Sequence, residues 1–170
     1  KKTLSLSKAG DLMVRLEITY QHNGQFVKDL ITRYRTYTKV YVPLGSWFEN
    51  GFVYDGQKET ALNMTDDLDY GSEYHKSYAT YFLIIEPGES KTIVLNYKLP
   101  DDLKKQYESG TYSLSIQKQP GTIGHKLRID LNLSQEISAY QSANLPDVYG
   151  KKSIGWSSDL TVDREFKLKF

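Results

Sequence analysis

The chain contains no cysteine. That excludes a disulfide framework, a thiolate nucleophile and any zinc site built on thiolates. Secreted eukaryotic domains often carry disulfides, so a cysteine-free β-rich chain fits a bacterial cell-surface protein or a cytosolic one better. No apolar run approaches the roughly 20 residues that a membrane-crossing helix needs. The opening KKTLSLSKAG is no signal peptide. Charge of one sign is also missing: 22 Lys and Arg stand against 21 Asp and Glu, for a net charge of +1. Such a balance gives no field favouring nucleic acid or an anionic membrane. No P-loop, Gly-x-Gly-x-x-Gly or Gly-x-Ser-x-Gly motif occurs, and no helical periodicity is strong.

What the chain has instead is tyrosine (14 of 170 residues) and turn-punctuated alternation. Tyrosine suits a sheet, where the ring packs across strands and the hydroxyl reaches water. Ile93, Leu95, Tyr97 and Leu99 share one phase of a period-two pattern, as do Tyr112, Leu114 and Ile116. Period two means one face buried and one solvated. Pro87-Gly88 and Pro120-Gly121 suit the central positions of type II turns, because proline presets φ and glycine accepts φ > 0.

The same reading along the chain predicts strands at 12–20, 26–31, 33–42, 78–86, 91–99 and 160–170, with a less regular one at 137–145. Segment 47–54 reads as a hairpin about Asn50-Gly51, and 111–118 pairs with 126–133 across a Pro-Gly turn. Residues 101–109 read as one or two helical turns, begun by aspartates at the positive end and stopped by Gly110. Residues 55–77 are the least regular stretch, either a surface excursion or the cover for a short edge strand. These signals predict a single all-β domain over residues 1–170: an antiparallel β-sandwich, Ig-like in the broad sense, with about eight or nine strands.

Candidate site residues are few. Trp47 and Trp156 lie beside Gly or Ser near predicted turns, either as rings for stacking on a sugar or a partner, or as packing residues. Asp67, Asp69 and Glu73, with Asp66, place carboxylates around Gly71 on the irregular stretch. Calcium takes several oxygen ligands from such loops, although the EF-hand spacing is absent; the alternative is a solvated acidic loop. The three histidines, His22, His75 and His125, share no metal-ligand spacing and read as solvated turn residues. No other cofactor is indicated. A lysine–amide isopeptide crosslink requires a lysine buried on the apolar phase of a strand, beside a carboxylate.

The segments Ile85–Pro100 (IEPGESKTIVLNYKLP) and Tyr112–Thr122 (YSLSIQKQPGT), with Tyr41-Val42-Pro43-Leu44-Gly45-Ser46 upstream, carry a family resemblance. Over residues 37–122, about half the chain, it resembles the C-terminal extracytoplasmic region of an uncharacterised family of large, membrane-anchored bacterial envelope proteins. The resemblance implies an extracytoplasmic location at the bacterial cell surface, with the membrane reached only through a segment outside this chain. It implies no activity and carries over no catalytic residue. The expectation is a non-catalytic interaction or structural module cut from a longer protein, with a protein or cell-wall glycan as partner. A carbohydrate-binding module and, less in keeping with the motifs, a glycan-active enzyme are the alternatives.

Overall fold

The computed structural model describes residues 1–27, 30 and 32–170. In chain order its first strands are β1 (Lys2–Leu6), β2 (Leu12–Gln21), β3 (Tyr34–Pro43), β4 (Trp47–Tyr54), β5 (Glu59–Ala61), β6 (Leu68–Glu73), β7 (Lys76–Ile85) and β8 (Ser90–Lys98). Helix α1 (Asp101–Glu108) follows, then β9 (Thr111–Ile116), β10 (Lys126–Asn132), β11 (Ala139–Ser142), β12 (Val148–Tyr149), β13 (Ser153–Asp159) and β14 (Arg164–Lys169). The chain is all-β apart from α1. It divides into two compact units, one made of Lys1–Val14 with Asp101–Phe170, the other of Arg15–Pro100.

In the first unit one sheet runs β12-β13-β10-β1 and another β11-β14-β9. β10 is central, antiparallel to β13 and parallel to β1. Its alternate residues Ile129 and Leu131 are fully buried, as are Leu4 and, at 1%, Ile154 and Trp156. The Trp156 ring of β13 meets Phe166 of β14 at 4.9 Å, which joins the inner faces of the two sheets. Asp101 and Asp102 lie in the first turn of α1, where the helix dipole favours carboxylates. Gly110 ends the helix at φ 83, a conformation glycine adopts without strain, and its Cβ-free side admits the Phe170 carbonyl.

In the second unit one sheet runs β3-β7-β6, and β8-β4-β5 forms another beside β2. Tyr20 of β2 reaches into the first of these, its hydroxyl 2.8 Å from both the Tyr81 and Thr38 hydroxyls. Phe48 of β4 lies 5.7 Å from Tyr70 of β6 and 5.4 Å from Tyr97 of β8. Tyrosine therefore does the joining here, with its ring packed and its hydroxyl satisfied.

Several expectations change. Segments 111–118 and 126–133 do not form a hairpin: β9 pairs with β14, and β10 with β13 and β1. Pro87-Gly88 does form the type II turn, with Gly88 at φ 83 and Glu89 N–H donating to the Glu86 carbonyl at 3.0 Å. Its flanking strands β7 and β8 nonetheless lie in different sheets. Segment 47–54 is one strand rather than a hairpin, with a register shift between Phe48 and Asn50 against β8. At Gly51 a Cβ would stand 2.9 Å from Leu62 and 3.1 Å from the Val94 carbonyl, so the glycine serves close packing. The stretch 55–77 holds edge strand β5 and all of β6. For the expected strand 26–31, Phe26 and Leu30 are exposed outside any strand, while Lys28, Asp29 and Ile31 fall outside the described residues. Strands β1, β12 and β13 are additional to those expected.

Candidate functional site

The register of β3 on β7 runs unbroken from Tyr34 opposite Ile85 to Pro43 opposite Lys76. Residues of one parity, Val40, Val42, Ala79, Tyr81 and Leu83, are buried. The other parity forms an outer face on which aromatic rings stand among polar residues. Tyr37 and Phe82 stand directly opposite each other and are 67% and 53% exposed. Two rows away Tyr41 and Tyr78 form a second opposed pair, edge to face at 6.2 Å.

β6 completes this face. Gly71 is the direct partner of Tyr78, and any Cβ at Gly71 would stand 2.5 Å from the Tyr78 hydroxyl. The missing side chain lets the Tyr78 ring lie across β6. Lys39 Nζ sits 4.1 Å from the centre of that ring and donates to Glu73 Oε1 at 2.7 Å. The Tyr41 hydroxyl donates to the same oxygen. The bond from Lys39, then that from Tyr41, holds the Glu73 carboxyl below its usual range. Reciprocally, the bond to Glu73 raises the titration of both Lys39 and Tyr41. Between the two aromatic rows Thr80 lies opposite Lys39 and Asp69, 1% exposed, and among the described residues its hydroxyl has no hydrogen-bond partner.

The hairpin joining β6 to β7 has Tyr74 at φ 51 and His75 at φ 56 between the paired Glu73 and Lys76. That is a type I′ turn built from bulky residues, where Asn-Gly is the strain-free choice. The Tyr74 ring is 82% exposed at the end of the outer face.

The residues singled out from sequence scatter. Trp47 opens β4 and is 71% exposed. Trp156 is a core residue, not a stacking surface: it is 1% exposed, packed on Phe166, with its indole N–H donating to the Asn144 carbonyl at 3.2 Å. Asp67 stands in the turn before β6, where its Oδ2 accepts the Asn63 N–H at 2.8 Å. Asp69 and Glu73 share one face of β6, but an extended strand puts residues four apart about 13 Å from each other. Calcium needs its oxygens within about 2.6 Å, so the strand breaks the grouping that a loop would have allowed. Among the described residues no group of three or more His, Asp or Glu is placed to hold a metal ion. Of the acidic cluster only Glu73 enters the outer face as a bonded member.

The first unit holds two further charged groups. Arg128 donates to Asp130 at 2.8 Å, Asp147 at 3.1 Å and Ser157 at 2.9 Å, so both carboxylates are committed to one guanidinium. Lys2 lies on the inner face of β1, and burial pulls its amine down to about 8.

Sequence reasoning missed Tyr37, Lys39, Tyr41, Tyr78 and Phe82 as a group. The signal was present in RYRTYTKVYV, where Tyr37 and Tyr41 occupy the phase opposite to Val40 and Val42. Aromatics on the solvent phase of an alternating strand mark a face with a second use. No family model matches the chain, and no curated protein matches it.

Proposed function

We propose that the chain is a non-catalytic interaction module of a bacterial envelope protein, and that it engages its partner through the outer face of β3-β7-β6. The opposed Tyr37–Phe82 pair carries this reading. A sheet face that meets only water loses nothing by placing Thr, Lys or Glu at such positions, whereas exposed clustered rings are typical of binding surfaces. The extracytoplasmic location is supported by the missing cysteines and by the resemblance over residues 37–122. In fold terms each unit is a β-sandwich, Ig-like in the broad sense; the Trp156–Phe166 and Tyr20–Tyr81 contacts between facing strands support it.

A second reading, carbohydrate binding, is favoured by one observation: Trp47 offers a ring that is 71% exposed, suited to stacking on a sugar. Co-sedimentation with purified bacterial envelope fragments tests both. The first reading expects retention of the wild-type chain and its loss in Tyr37→Ser/Phe82→Ser, with Trp47→Ala unaffected. Loss in Trp47→Ala alone supports the second reading, and equal retention of all three chains overturns both.

A further inference from the structure

The sheet β3-β7-β6 ends on one side in β3, a strand of ten residues. The other terminal strands of the sheets are shorter: β5 has three residues, β12 two, β11 four, and β6 and β9 six each. A terminal strand aims alternate N–H and C=O groups away from its neighbour, a template for another strand. Proteins commonly blunt such an edge with a bulge, a central proline or a covering loop. β3 pairs with β7 without a register shift, and its proline is the final residue. In the order of the sheet β3 pairs with β7, and its other edge ends the sheet.

We propose that this edge pairs with β3 of a second copy of the chain, antiparallel, about a twofold axis at Thr38. Charge selects the partner and the register. In an antiparallel pair directly opposed residues share a face, so the registers of greatest overlap centre on Thr38 or on Lys39. Centring on Lys39 opposes two ammonium groups across the axis and sets Pro43, which has no N–H, against Arg35. Centring on Thr38 sets Tyr37 against the second copy's Lys39, and Arg35 against its Tyr41, so each cation meets a ring. Buried-phase residues then meet as Thr36 with Val40 and Thr38 with Thr38. β6 offers no equivalent: self-pairing about Gly71 opposes Asp69 to Glu73, acid to acid. A β3-to-β6 contact between copies would match charges, but it does not close and would grow into chains.

The inference rests on the strand edge and takes its register from side chains of the outer face; its readout is self-association, distinct from retention of envelope material. Closure about Thr38 would set two outer faces side by side in one six-stranded sheet. The absence of native cysteine makes the test direct. Sedimentation equilibrium of the wild-type chain is expected to give twice the chain mass. Mixing Tyr37→Cys with Lys39→Cys chains under mild oxidation is expected to give the mixed covalent dimer in excess over either homodimer, since those positions face each other within disulfide reach. Four results overturn the proposal: a monomer at every concentration, species growing beyond the dimer, a dimer that forms no mixed crosslink, or a Lys39→Cys homodimer that dominates. Tyr37 is two-thirds exposed, so its replacement leaves the core intact; matching thermal midpoints of the variant and wild-type chains confirm this before oxidation.

Discussion

The two units use one device to opposite ends. In each, a glycine inside a strand clears room for a large side chain from its directly paired neighbour. In the first unit Gly155 faces Asp130, and a Cβ there would stand 2.8 Å from the Asp130 carboxylate and 2.9 Å from Arg128. The space is filled by charge: Arg128 ties Asp130, Asp147 and Ser157 together, and Lys126 pairs with Asp159 at 2.8 Å one row away. In the second unit Gly71 faces Tyr78, and the space is filled by a ring with Lys39 above it. One outer face is closed by ions that satisfy one another. The other is left aromatic and half in water, and the proposed interaction surface rests on that difference.

The interiors differ as well, and the largest predicted effects probe them. Trp156→Ala should destabilise the first unit by about 3–5 kcal/mol, the cost of deleting a fully packed aromatic. Chemical denaturation followed by circular dichroism, wild type against variant, measures that loss. Next comes pH. Lys2 titrates at about 8 in the folded chain against 10.5 for an ordinary lysine, so the unfolded chain binds this proton more tightly. Stability of the first unit should therefore rise between about pH 8 and 10.5, by about 3 kcal/mol in all. A Lys2→Met chain should lose that rise.

Smaller effects sharpen the contrast from the second unit. Tyr74→Asn/His75→Gly should stabilise it by about 1–2 kcal/mol, because those residues occupy left-handed positions at little cost. Retention of less envelope material by that stabilised chain would show that the strained turn serves binding. The smallest effect is electrostatic. Glu73 titrates below its usual range, so its contribution is complete above the ordinary carboxylate value and fades as pH falls through the lowered one. Tyr41→Phe removes one of the two donors to Glu73 and should move that titration upward, measurable by NMR of the side-chain carboxyl, with stability nearly unchanged.

Local chemistry was legible in the sequence; partner choice was not. Leu12 to Tyr20 alternates cleanly and became β2, and Pro87-Gly88 made the turn its residues dictate. Yet nothing in a Pro-Gly pair says whether the next strand returns to the same sheet, and here β7 and β8 separate. Two of the unread elements share a cause. β6 (LDYGSE) and β13 (SIGWSSD) each carry the cradle glycine plus small or acidic residues, which locally spell a loop. Their strand character comes from neighbours far along the chain, β7 for one and β10 for the other. β1 hid for another reason, with a lysine on its buried phase. Trp156 was drawn toward a surface role by the serines beside it, whereas its register opposite Ile129 turns it inward.

The central claim is that the outer rings of β3-β7-β6 are kept for a partner and not for the fold. The unfolding free energy of a Tyr37→Ser/Phe82→Ser chain tests it. An exposed cross-strand pair is worth at most about 1 kcal/mol, and a loss of that size is the predicted result. A loss of about 3 kcal/mol or more, the scale of a core truncation, would contradict the account.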